Sequence, residues 1–188
     1  MTALISLHDR AFAWIDSAIG DLVLPTLARF VFAATLFVYY WASAATKLCD
    51  GLFGFVRLDP GAYIQMFPKA FEAAGFDPSA LPFGYKLLAF IGTYAEFILP
   101  VLIVIGLFTR LAAIGMIGFI VVQSVTDIVG HNADPETVGA WFDRLSGSVI
   151  LDQRAFWVFA LLYLVFRGAG PLSVDRFLGI GRRRAESH

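Results

Sequence analysis

The sequence predicts an all-α integral membrane protein: a bundle of four transmembrane helices, with short interfacial helices in its N-terminus and outer loops. Three observations predict it. The 188 residues are 59% hydrophobic and only 15% charged, against about 45–50% and about 25% in an ordinary soluble domain. A single domain of this size cannot hide that much apolar surface inside itself, so lipid must cover the excess. Finally, four apolar stretches approach the roughly 20 residues that a helix needs to cross the hydrocarbon core.

The spans fall at about residues 25–48, 85–107, 111–129 and 150–167. The fourth is the shortest, with Asp152 and Arg154 near its interface. Only Phe108, Thr109 and Arg110 separate the second and third, so those two helices are predicted to be antiparallel neighbours. Gly106, Gly115 and Gly118, with Ala112 and Ala113, are small enough to let them pack closely. Residues 1–24 form an N-terminal segment. Leu4, Leu7, Phe12, Ile15 and Ile19 give it the spacing of an amphipathic interfacial helix; a disordered tail is the competing reading. His8, Asp9, Arg10, Asp16 and Asp21 interrupt any apolar signal-peptide core. The first outer loop, 49–84, carries four prolines and a predicted amphipathic helix over 61–74. The second, 130–148, is predicted to hold a short helix over 135–145. Residues 169–188 are a basic tail ending in Arg182, Arg183 and Arg184.

Charge bias predicts orientation, because Lys and Arg stay preferentially on the cytoplasmic side. With four spans, both termini and the short turn share a side, which holds Arg10, Arg29, Arg110, Arg167, Arg176 and the three terminal arginines. The other side holds Lys47, Arg57, Lys69, Lys86, Arg144 and Arg154 in long, acid-rich loops. The expectation is a bacterial inner-membrane protein with cytoplasmic termini and periplasmic loops. Tyr39, Tyr40, Trp41, Tyr85, Trp141 and Trp157 read as an aromatic belt toward the periplasm. Net charge is −1, which gives no basis for nucleic-acid binding. The single cysteine, Cys49, excludes an intrachain disulfide.

Ionisable groups at membrane depth are costly, so each is a functional candidate. Glu96 lies ten residues after Lys86 and fourteen before Arg110, too deep to reach either surface. Pro100, four residues on, removes a backbone hydrogen bond to residue 96. Gln123, Asp127 and His131 are spaced to line one face of span three. Lys47 ends span one on the same side. These five are predicted to converge on one pocket in the outer half of the bundle, with Trp41 and Tyr94 as aromatic neighbours. A structural network that merely locks helix register is the competing reading. One histidine among scattered loop carboxylates is not a metal-ligand pattern. No phosphate loop, nucleotide fingerprint or haem-attachment motif is present.

Three segments carry a family resemblance. The run from Trp41 through Ser43 to Lys47 and Leu48 resembles the first-span ending of the DoxX-like membrane proteins, with alanine where their pattern has glycine. Tyr94 and Glu96, then Pro100, then Gly106 through Thr109 and Arg110 to Ala113, are similar to that family's second span and turn. Gly168, Gly170, Ser173 and Asp175 resemble its exit from the fourth span. The likeness covers about residues 26–178 in order. It implies a four-helix inner-membrane protein related to the membrane subunit of thiosulfate:quinone oxidoreductase. It matches Lys47, Glu96 and the turn residue Arg110 as polar positions of interest, without an agreed catalytic set.

The expected function is a redox-associated subunit. An apolar, aromatic bundle with Lys47, Glu96 and Asp127 suits a quinone, whose carbonyls accept hydrogen bonds. The chain has no electron carrier of its own, so other membrane or periplasmic subunits are expected partners. The alternatives are a non-catalytic scaffold and, behind it, a small transport or metal-handling protein; four short spans without inverted repeats weigh against transport alone.

Overall fold

The computed structural model describes residues 2–20 and 22–180. Among them, four helices are long and apolar enough to cross a membrane: Leu24–Ala45, Phe83–Ile105, Thr109–Gly130 and Val149–Arg167. These are spans one to four, within a few residues of the predicted bounds. Only 22–28% of each span's most apolar stretch is buried within the protein, so most of its apolar surface faces lipid. The spans form a closed ring, in which one and three each touch both two and four.

The core of the ring is apolar and close-packed: Phe32, Leu36 and Tyr40 from span one meet Ile103, Met116, Ile120, Leu161 and Leu164. Ala112 and Ala113 are buried where spans two and three approach, and Leu99 fills the space that Gly115 leaves open. Gly118, by contrast, has nothing near its missing side chain and plays no part in that contact. Tyr40 is 1% exposed and belongs to the core rather than to an aromatic belt. Spans one, three and four each contain a five-residue π turn, at Ala33–Phe37, Thr126–Gly130 and Val149–Gln153. Such a turn rotates every residue beyond it relative to an α-helical reading.

The N-terminal segment is helical over Thr2–Ile15. In loop one, Pro68 lacks the N–H that a continuous helix requires. Two short helices, Pro60–Met66 and Pro68–Ala73, therefore replace the single predicted one. Their Tyr63 and Phe71 pack with Leu81 and Ala89 over the first turns of span two. Loop one thus forms a lid over one end of the bundle, the loop end. In loop two the helix stops at Val138, because Gly139 leaves helical geometry with φ +77°. Arg182, Arg183 and Arg184 lie outside the described residues.

At the opposite end, the turn end, span two stops at Gly106 and span three starts at Thr109. Gly106 has φ +72°, and a β-carbon on it would lie 2.6 Å from the Ser173 side chain and 2.9 Å from the Arg29 guanidinium carbon. Only glycine satisfies both demands. Asp175, in the short helix Val174–Phe177, is buried against this turn.

Candidate functional site

Span one ends in a helical turn that places Ser43 and Lys47 on one face, four residues apart. The chain is held there after the helix ends, because Asp59 donates its backbone N–H to the Lys47 carbonyl at 2.9 Å. An antiparallel bridge between Leu48 and Leu58 closes the intervening turn. The Lys47 ammonium is therefore fixed rather than trailing. It donates to Glu96 Oε2 at 2.7 Å and Oε1 at 3.0 Å, to Ser43 Oγ at 2.7 Å and to the Ser43 carbonyl at 3.2 Å. The side chains of Lys47 and Glu96 are 3% and 5% exposed. This pair resolves the problem Glu96 poses: a carboxylate near mid-membrane is tolerable because a cation sits on it.

A second ion pair joins spans three and four. Arg154 donates to Asp127 Oδ2 at 2.5 Å and to Ser124 Oγ at 2.9 Å. Its Nε is buried without a partner. Between the two pairs stands Tyr40, within electrostatic reach of Glu96, Asp127 and Arg154. Its hydroxyl donates to Gln123 Oε1 at 3.3 Å, and Gln123 Nε2 donates to the Tyr39 hydroxyl at 2.9 Å. The loop-end half of the bundle is thus crossed by polar groups drawn from all four spans.

The five residues predicted to converge on one pocket are instead distributed. Lys47 and Glu96 are together, Gln123 binds the tyrosines, and Asp127 has its own cation. His131 hydrogen-bonds the Gln65 carbonyl of loop one at 3.0 Å. The π turn at Thr126–Gly130 accounts for that departure, because it breaks the regular four-residue spacing before His131. Trp41 Nε1 donates to the Phe97 carbonyl at 3.3 Å, and the Tyr94 hydroxyl donates to the Phe55 carbonyl in loop one. Both aromatics therefore pin span two to its neighbours. Arg110 lies at the turn end and donates to the Phe166 carbonyl at 3.3 Å.

Sequence reasoning missed Tyr40, Ser43 and Arg154 as members of the loop-end network. Arg154 left a signal, since it is a cation entering span four in the same half as Asp127. It also missed Arg29 and Asp175. Arg29 is buried and donates to four carbonyls: Ile103 and Val104 at the end of span two, at 3.0 and 2.5 Å, and Ala169 and Leu172 beyond span four, at 3.0 and 2.6 Å. Asp175 accepts from the backbone N–H of Phe108 at 2.7 Å and of Thr109 at 2.9 Å. One residue thus places positive charge at a helix C-terminus and the other negative charge at a helix N-terminus, matching the dipole at each end.

Two hollows stand out on the described surface, and neither is lined by Lys47, Glu96, Gln123 or Asp127. An apolar groove of about 310 Å³ runs along span two between Phe90 and Leu99, past Tyr94 and Ala95. A larger cleft of about 700 Å³ opens at the turn end beside Thr109, Arg110 and Arg167.

Four lipid-facing spans, a buried Lys–Glu pair and a charge-capped turn define a four-helix integral membrane protein. The sequence model of the DoxX family matches residues 24–127, more than half of the chain. The chain belongs to the DoxX family. No curated protein matches it, and no solved structure does.

Proposed function

We propose that this DoxX-family chain is the membrane subunit of a redox-linked complex, and that its loop-end half receives a quinone or a similar lipid-soluble ligand. The observation that carries this reading is the groove between Phe90 and Leu99. It lies on the helix that also bears Glu96, and Ala95 on its wall is the adjacent residue. An open apolar groove along a lipid-facing helix suits an isoprenoid tail, while the neighbouring network offers groups that hold and move protons. Asp127, with its side chain 32% exposed, and Tyr39, 43% exposed, give the network contact with the outside. Electrons would come from a partner subunit, because the sequence carries no attachment motif for an electron carrier. The same reading places the protein in a bacterial inner membrane, with the turn end cytoplasmic and loops one and two periplasmic.

The test is binding of a short-chain quinone analogue to the purified protein in lipid nanodiscs, followed by tryptophan quenching. Saturable binding, weakened by Glu96→Gln and by Ala95→Trp in the groove wall, is the expected result. No saturable binding to the folded protein overturns it.

A second reading is favoured by one observation. Lys47 and Glu96 are sealed and satisfy each other, which is what a register lock for a non-catalytic scaffold subunit requires. Stoichiometric co-purification with a membrane partner, together with absent quinone binding, would favour that reading.

A further inference from the structure

The turn-end cleft stands apart from the loop-end network and from the groove on span two. We infer that it is a binding site for a phosphate group, the headgroup of an anionic phospholipid.

Three features carry the inference. The first is charge. Arg110, Arg167 and Arg176 all line the cleft. The carboxylate that shares it, Asp175, is already engaged by two backbone N–H groups and lies within electrostatic reach of Arg29. Among the described residues that line the cleft, Arg110 and Arg176 therefore leave the balance toward an incoming ligand positive. Arg110 is held in place by its bond to the Phe166 carbonyl, and its guanidinium lies against Gly168. A guanidinium has five N–H donors, so donors remain for phosphate oxygens.

The second feature is an unused hydroxyl. Thr109 lines the cleft and is fully buried, and its Oγ1 has no hydrogen-bond partner. A buried hydroxyl without a partner is costly, because its lost hydration is not repaid. A phosphate oxygen in the cleft supplies the missing acceptor.

The third is position. Leu111 and Phe166, which also line the cleft, are 69% and 70% exposed on the lipid-facing surfaces of spans three and four. Phe108 beside them is 50% exposed. A basic cavity opening onto an apolar flank fits a molecule with an anionic head and acyl chains, and basic pockets between membrane helices bind such heads. A free phosphate would use the arginines and the hydroxyl but not the flank.

The experiment is native mass spectrometry of the full chain, released from mixed micelles of phosphatidylglycerol and phosphatidylcholine. Preferential retention of phosphatidylglycerol is expected. Arg110→Gln with Arg176→Gln should reduce that preference by roughly fivefold per arginine removed. Arg57→Gln, at the loop end, should leave it unchanged. Thr109→Val should weaken retention without removing it, and circular dichroism confirms that each variant is folded. A second arm titrates inorganic phosphate against lipid-free protein and follows thermal stability. Stabilisation by phosphate equal to that by phosphatidylglycerol would support the phosphate site and assign it to a soluble ligand. Equal retention of the two lipids by the wild-type protein, with no stabilisation by phosphate, overturns the proposal. So does a preference that Arg57→Gln reduces as much as the cleft variants.

Discussion

Lys47 Nζ lies 2.7 Å from Glu96 Oε2, with both side chains almost wholly removed from solvent. Two charges so placed are tolerable only as a pair. Removing one leaves the other uncompensated in a low-dielectric interior, a loss of about 3–5 kcal/mol. Lys47→Met is therefore expected to destabilise the bundle strongly, and so is Glu96→Leu. The double variant replaces the pair with apolar groups of similar size and is expected to recover most of the loss. Thermal unfolding in a mild detergent, arranged as a double-mutant cycle, measures this. Additive losses would show that the pair does not act as a unit.

The second pair is asymmetric. Arg154 is 5% exposed at its side chain and Asp127 is 32%. Asp127 is partly solvated and tolerates the loss of its partner. Arg154 is not, and its Nε already lacks an acceptor. Asp127→Ala strands a buried cation that keeps only Ser124, whereas Arg154→Met leaves a carboxylate that water reaches. Asp127→Ala is expected to lower stability by about 1–3 kcal/mol, and Arg154→Met by less. The same unfolding assay ranks the two, and the reverse order would contradict this account of their burial.

The four spans were legible because lipid imposes its requirement on every residue of a helix: a long apolar run announces itself whatever it packs against. Partner choice was less legible. Glu96 could be recognised as needing a cation, and Lys47 was in view as one. The sequence does not pair Asp127 with Arg154, because that pairing depends on how spans three and four are rotated about their axes. The π turns at Thr126–Gly130 and Val149–Gln153 alter that rotation at just these residues, and nothing in residue type marks a π turn. His131 moved off the predicted face for the same reason. In the sequence, Arg29 reads only as a positive charge marking a membrane side. Its four carbonyl partners come from positions 74 to 143 residues away, which no local pattern encodes.

Two loop carboxylates are expected to respond to acid. Asp134 caps the helix Pro135–Val138 by accepting from the Thr137 N–H and hydroxyl, both at 2.8 Å. Those bonds hold its carboxyl below the ordinary value of 3.8. Asp77 is held low by the Ser79 hydroxyl and N–H in the same manner. In each case the fold favours the ionised form. The local stabilisation is present above the ordinary carboxylate range and is lost as pH falls through the lowered value. Amide exchange at Thr137 and Ser79, corrected for intrinsic rate, is expected to accelerate from about pH 4 downward. Amides in the middle of span two should not change over that interval. Protection at both caps that is independent of acid would sink the prediction.

Gly106 and Asp175 make the turn end sensitive to very small changes. The Asp175 backbone N–H donates to the Gly106 carbonyl at 2.8 Å, while its carboxylate caps span three. Gly106→Ala places a β-carbon at positive φ, within 3 Å of both Ser173 and Arg29. The strain is expected to cost about 1–3 kcal/mol and to push Arg29 off the carbonyls of span two. Asp175→Ala removes the cap instead, at about 0.5–2 kcal/mol, and leaves Arg29 in place. The two lesions are separable by amide exchange. Gly106→Ala should expose the last turn of span two, whereas Asp175→Ala should expose the amides of Phe108 and Thr109 first. If both variants released the same amides in the same order, the turn would be one cooperative unit, and the division of labour between Arg29 and Asp175 would be wrong.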